Sequence, residues 1–281
     1  MQAVIPADLR VLQIGHVCID HNVIDGVRVP ETWGSGLMHT RAYLQKLGVV
    51  SSLIAPRGSA YAQYAPEEEF LNPSVPGGET LIYENNILDG VRTQYAHNLE
   101  ASLPPALDTV NFAQTGAVDV IFVSPLTQQY DYSYLSACLE RLPKDAYRVL
   151  LPQGYTRDIS TEGVVRQTGF QDAARIVPMF DLVVLSDEDI ADAKDAAREW
   201  AAYSDRTSIV VTHNHYGATL FTRAQETFVP TTPVPETEIV EPIGLGDTFT
   251  ASMAIARFSG MDEVSAIQHA HQAVAAKMRG N

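Results

Sequence analysis

Glu241-Pro242-Ile243-Gly244-Leu245-Gly246-Asp247-Thr248-Phe249 is the stretch from which this chain is read outward. Its glycines let the backbone turn sharply and approach a ligand closely. Apolar periodicity resumes with Phe249, Met253, Ala254 and Phe258, so the loop predicts a helix directly after it. The amides at a helix amino terminus bind anions, and such fixed donors stabilise charge on a transferring phosphoryl group. A carboxylate at Asp247 would stand beside them, able to accept the proton of an attacking hydroxyl. The same letters also read as an aspartate capping a helix after a glycine turn. The loop alone does not separate the two.

Upstream, short apolar runs alternate with amphipathic stretches. Strands are predicted at Val11–Gly15, Ser52–Ala55, Val118–Ser124, Tyr147–Leu151, Leu182–Leu185 and Ser208–Thr212, with an edge hairpin strand at Ala218–Thr222. These runs are apolar throughout, as strands covered on both faces are. Helices are predicted at about 36–47, 131–142, 187–202, 248–259 and 262–278. The alternation predicts an α/β three-layer sandwich around a mainly parallel central sheet. Two segments break the rhythm: 22–33 and 79–95, the second alternating in period two and carrying the turn signal Asp89-Gly90. Together they predict a small β flap, serving as a lid or as a homodimer edge. Pro230–Pro242 reads as a connecting loop or extended strand, and no boundary divides residues 1–281 into two full domains.

The 281 residues are 46% hydrophobic and 19% charged, an ordinary globular composition. A formal net charge of −15 disfavours nucleic acid as partner, yet a nest of amides or a bound Mg²⁺ holds phosphate inside an acidic protein. Cys18 and Cys138 lie far apart with no CxxC, Met1–Arg10 lacks the pattern of a signal peptide, and no apolar run is long enough to span a membrane. A cytoplasmic setting is the expectation.

Leu151-Pro152-Gln153-Gly154-Tyr155-Thr156-Arg157 follows a predicted strand, and the carboxyl ends of strands are where α/β sheets bind ligands. Gln153 suits a polyol hydroxyl and Arg157 a phosphate, or Arg157 is a plain loop charge.

The 241–249 loop resembles the carboxyl-terminal signature D-T-x-G-A-G-D of the PfkB (ribokinase-like) carbohydrate kinase family. Gly34-Ser35-Gly36-Leu37-Met38-His39-Thr40-Arg41, followed by Leu47-Gly48 and Gly58, resembles its amino-terminal signature, and Ile14–Asp20 its first strand, which ends in an acidic residue for substrate hydroxyls. Thr212–Ala218 resembles its T-x-G-x-x-G nucleotide turn, with Asn214, tolerant of positive φ, in place of a glycine. Ser186-Asp187-Glu188-Asp189 stands where the family has Asn-x-x-Glu. The segment 153–157 resembles Q-G-x-x-R of the short-lid, inositol-kinase-like branch. Departures are His39 for Asn, Leu245 for a small residue, and Glu241-Pro242 for Asp-Thr. The histidines His213 and His215 are read as part of a surface turn rather than a metal site.

The resemblance implies an ATP-dependent kinase acting on a hydroxyl of a small sugar or cyclitol. It implies Asp247 as general base, with Gly244, Leu245, Gly246 and Arg157 holding developing charge. It places the acceptor with Asp20, Gly34, Ser35, Gly36, His39 and Gln153, and ATP with Ser186, Thr212, Asn214 and Gly217. It puts Mg²⁺ near Asp189 through water. The alternatives are a nucleoside kinase of the same fold and a family member that binds a ligand without catalysis.

Overall fold

The computed structural model describes residues 5–6, 8–89 and 91–281. Gly90, half of the Asp89-Gly90 turn signal, lies outside the described residues. An eight-stranded sheet runs from edge to edge in the order Ser51–Ile54, Val11–Gly15, Val120–Ser124, Tyr147–Leu150, Leu182–Ser186, Ser208–Thr212, Gly217–Phe221 and Glu226–Pro230. The first six strands are parallel, and the last two fold back as an antiparallel hairpin.

Period-two alternation explains why those strands are apolar throughout. Leu12, Ile14, Ile121, Val123, Val183 and Leu185 enter a core shared with Leu135, Ile176 and Trp200 of the helices Tyr132–Leu139, Ala173–Ile176 and Ala193–Ala201. Their chain neighbours Val11, Val120, Phe122, Leu182 and Val184 enter the opposite core. That core takes Leu44, Phe249, Met253 and Ile267 from Gly36–Lys46, Leu245–Phe258 and Glu263–Met278. Side chains on successive strand residues point to opposite faces, so each strand serves two helical layers.

The flap is larger than predicted. Cys18–Ile24 pairs in parallel with Ile82–Leu88, which pairs antiparallel with Val91–His97; Val27–Arg28 and Thr32–Gly34 flank the first strand. It begins at Cys18 rather than near 22, because the main-sheet strand stops at Gly15, where a Cβ would lie 2.2 Å from the Ser124 carbonyl oxygen. Asp20 therefore sits on the small sheet and does not end the first core strand.

Other boundaries moved for local reasons. The helix expected from 187 begins at Ala193: Ser186 and Asp189 close a turn on each other's backbone, and Asp192 takes a left-handed φ of 54°. The helix expected from 248 begins at Leu245, behind Gly244 at φ 70°. Glu226–Pro230, and a hairpin of Arg157–Ile159 with Val165–Gln167, were not predicted. No described helix is long and apolar enough to cross a membrane.

Candidate active site

The carboxyl ends of the parallel strands meet the small sheet at a cleft of about 480 Å³, the position at which open α/β sheets bind ligands. Every site residue singled out from the sequence borders it except Gly34 and Gly217. Gly34 instead packs beneath Asp20: a Cβ there would lie 2.4 Å from the Asp20 carboxylate. Gly217 borders an adjoining cavity of about 620 Å³, which shares Thr212, Asn214, Leu245 and Gly246 with the cleft.

At one end stands Asp247, in the first turn of the helix Leu245–Phe258. Thr248 N–H closes the first intrahelical bond, on Gly244 O at 3.0 Å, and the N-cap residue Gly244 has no side chain to cap the amides before it. Those of Leu245, Gly246 and Asp247 therefore form the positive end of the helix dipole. The Asp247 carboxyl is pushed from its ordinary 3.8 up to about 6, by burial first and by Asp189 second, with Lys277 opposing. Gly36 makes room for it: a Cβ at 36 would lie 2.5 Å from Asp247 Oδ1 and 2.7 Å from Ser124 Oγ.

The loop before Asp247 is fixed from outside. Glu241 pairs with Lys277 at 2.5 Å and Lys46 at 3.7 Å. Gly244 lies against the His39 ring, 2.6 Å from a would-be Cβ. Burial, aided by Lys277, lowers His39 to about 4, so it is a neutral imidazole at neutral pH. Ser35, at φ 92°, accepts Met38 N–H at 3.3 Å and starts the helix Gly36–Lys46. A non-glycine residue there is strained.

The two other polar loops are turns held by their own side chains. Asp189 Oδ2 accepts Ser186 N–H at 2.8 Å, and Oδ1 accepts Gln153 Nε2 at 3.4 Å. Asn214 adopts φ 48°, as expected of the residue replacing a glycine, and donates to Glu188 Oε1 at 2.8 Å. His213 is not a surface residue. It is buried between Asp187 Oδ2 at 2.9 Å and Thr219 Oγ1 at 2.8 Å.

Among the described residues, no group of three His, Cys, Asp or Glu is placed to hold a metal. Mg²⁺ needs fewer, since it keeps several waters and takes one or two carboxylates plus substrate phosphate. Asp189 and Asp247 border one cleft, and the Asp189 charge raises the Asp247 carboxyl, so a divalent cation would fit there, held by water, phosphate and these carboxylates.

The opposite end of the cleft belongs to one face of the small sheet. Strand register places Asp20 beside Tyr83 and Tyr83 beside Ala96; Asn22 lies beside Asn85, and Asn85 beside Gln94. Asn85 Oδ1 accepts Arg92 Nε at 3.0 Å, Arg92 Nη2 at 2.5 Å and Gln94 Nε2 at 2.8 Å, while its Nδ2 donates to Asn22 at 2.9 Å. The Arg157 guanidinium lies 5.4 Å from the Tyr83 ring centre. Its charge acts on Asp20, Cys18, Tyr83 and Arg92, whereas the charges acting on Asp247 are Asp189 and Lys277. Arg157 thus bears on the Asp20 end of the cleft, whose lining it shares with Gly244, Leu245 and Gly246. Burial raises the Asp20 carboxyl, and Cys18, Arg92 and Arg157 oppose this. Reading the 79–95 flap as a lid puts Tyr83 or Arg92 reaching inward, and both border the cleft; Gln94, Ser124 and Glu188, which also border it, had no role in the sequence reading. Period two within 79–95 put Tyr83, Asn85 and Ile87 on one face, but not which face.

The sequence profile of the pfkB family of carbohydrate kinases matches residues 113–279. No curated protein matched. Among solved structures, a pyrophosphate-dependent kinase in the ribokinase family, complexed with a pyrophosphate analog and myo-inositol, superposes with TM-score 0.76 at 18% identity, covering 96% of this chain and 95% of that one. The fructokinase of Xylella fastidiosa with bound ATP gives 0.71 at 16%, covering 96% and 92%. The adenosine kinase of Sinorhizobium meliloti gives 0.71 at 14%, covering 98% and 95%.

Proposed function

Because the chain belongs to the pfkB family of carbohydrate kinases, phosphotransferases with a hydroxyl acceptor, we propose that it transfers the γ-phosphate of ATP to a hydroxyl of a small sugar or cyclitol with Asp247 as general base. The observation that carries this reading is the Asp247 carboxylate at an uncapped helix amino terminus, with Gly36 leaving the space in front of it open. A carboxyl at about 6 is ionised at neutral pH yet basic enough to take a hydroxyl proton as the hydroxyl attacks. The amides of residues 245–247 then face the charge that develops on the transferring group. Mg²⁺, when bound near Asp189, supplies charge neutralisation on the donor phosphates. Asp20, Gln153 and the Ser35–Gly36 turn would hold acceptor hydroxyls beneath the small sheet.

ATP rather than pyrophosphate is favoured by the adjoining cavity of about 620 Å³, lined by Gly217, Phe249, Val274 and Met278 among others. A base and ribose would fill it, and pyrophosphate would leave it unused. A sugar rather than a nucleoside acceptor is favoured by the Asp20 end, whose face is amide, carboxylate and guanidinium around Tyr83. The Tyr83 hydroxyl is occupied by Leu126 O at 2.7 Å. The exposed tip of the small sheet, with Val27, Leu88 and Val91, suits a homodimer, which light scattering would detect.

The decisive experiment follows ADP release with Mg·ATP over a panel of sugars, cyclitols and nucleosides, for the wild type and Asp247→Asn. Acceptor-dependent release that the variant loses supports the assignment. A variant turning over at near wild-type rate sinks it.

A further inference from the structure

The small-sheet end of the cleft carries more positive charge than a neutral polyol uses. Arg92 and Arg157 both border it, and they stand close enough that the Arg157 charge lowers Arg92, after burial. Among the described residues neither is in an ion pair, while arginines elsewhere on this chain are, as Arg41 is with Glu69 and Arg206 with Asp181. The groups orienting Arg92 are neutral: its Nε and Nη2 both donate to the one oxygen of Asn85, which Gln94 and Asn22 hold in turn. The fork is thereby aimed without being neutralised. Arg157 rests near the Tyr83 ring, whose hydroxyl is anchored to the Leu126 carbonyl. Among the described residues, Asp20 is the carboxylate whose charge is coupled to both, and Cys18 and Gly34 crowd it. Two guanidinium groups against one carboxylate leave a surplus positive charge, in a chain whose formal net charge is −15. Planar forks of this kind bind carboxylate or phosphate. The proposed donor site has its own anion-binding group in the helix amides by Asp247.

We infer that the acceptor bears one acidic group, a carboxylate or a phosphate, received by Arg92 and Arg157, with Asn85 as the residue that positions Arg92. The inference rests on the reading of this cleft as the acceptor site of a kinase, and narrows the acceptor to acidic sugars or sugar phosphates.

Two measurements test it on the full chain. The first compares kcat/KM, with Mg·ATP, for gluconate, galacturonate and glucose 6-phosphate against glucitol, galactose and glucose. At least one acid should exceed its neutral partner by about tenfold or more, and Arg92→Gln or Arg157→Gln should lower that ratio by about tenfold. Arg157→Lys should recover part of it, and Asn85→Ala should raise KM for the acid more than it lowers kcat. Preference for the uronic and aldonic acids identifies a carboxylate, and preference for the sugar phosphate a phosphate. The second measures binding of the same compounds calorimetrically to the wild type and to Asp247→Asn, which requires no turnover. Acid binding that depends on Arg92, in an enzyme that transfers phosphate to none of the compounds, would uphold the anion site of Arg92 and Arg157 while overturning the reading of the cleft as a kinase acceptor site. Neutral acceptors used as well as the acids, a ratio unmoved by either arginine variant, or no binding by any acid, would overturn the inference and leave the Asp247 mechanism standing.

Discussion

Asp247→Asn should make the chain more stable at neutral pH while it removes turnover. The folded state holds this carboxyl near 6 against an ordinary 3.8, chiefly because burial penalises the charged form. At 1.36 kcal/mol per pH unit, that rise of about two units corresponds to roughly 3 kcal/mol disfavouring the folded ionised form. The carboxylate borders an open cleft, so solvent screening reduces the figure to about 1–2 kcal/mol. The sign fixes the pH window. Below 3.8 the group is protonated in both states and carries no penalty; the penalty grows as pH rises toward about 6 and is complete above it. Asparagine never ionises, so the gain of the variant over wild type should be absent near pH 3.8 and full by pH 7.5. Urea unfolding at several pH values, read by circular dichroism, measures the difference directly. Turnover should fall by ~10²–10⁴-fold, the range for loss of a general base. A variant no more stable at pH 7.5 than wild type would refute the claim that the site imposes this charge on the fold. A stability gain that is the same at both ends of the pH range would assign it to packing rather than to ionisation.

In wild type, kcat/KM should fall about tenfold per pH unit below about 6, because only the ionised carboxylate accepts a proton; a profile flat to pH 4.5 would exclude Asp247 as the base. Gly36→Ala places a methyl 2.5 Å from Asp247 Oδ1. It should lower kcat by about 10²-fold through misplacement of the reacting carboxylate, with little change in Tm, as steady-state kinetics and a melt would show. Val274→Trp, in the adjoining cavity, should raise KM for ATP by about tenfold if a base of the donor lies there, and leave it unmoved if the donor's phosphates are all that bind. His39 is held near 4 by burial and Lys277, so its ring resonances should not titrate between pH 5.5 and 8 by NMR.

What the sequence disclosed and what it hid divide by range. The catalytic end is local: two glycines, an aspartate and the start of an apolar period lie within Glu241–Phe249, and the structure assembles them as a left-handed Gly244 followed by a helix. The core strands were legible for the same reason, since Val11–Gly15 or Val120–Ser124 needs only its own alternation to show two buried faces. Where side chains bond their own backbone, the periodic signal failed, and the helix expected from 187 yielded to the Ser186–Asp189 turn. Glu226–Pro230 was hidden by its polar half and its terminal proline, features suited to an edge strand.

The acceptor end is non-local throughout. Asp20, Asn85 and Arg92 share a face only because Asp20 pairs with Tyr83, Asn22 with Asn85 and Ile87 with Arg92. A slip of one residue in either pairing would turn that set away from the cleft. No window of sequence contains that register, and Arg157 joins it from an unpredicted hairpin bridged to the sheet between Tyr95 and Val164. Chemistry on a phosphoryl group needs a helix end and a carboxylate, which a short motif encodes. Choice of acceptor needs side chains converging from strands some sixty residues apart. It follows that two chains of this fold with matching 241–249 loops can differ wholly in acceptor. The register of the small sheet, not the glycine loop, is where specificity should be sought and redesigned.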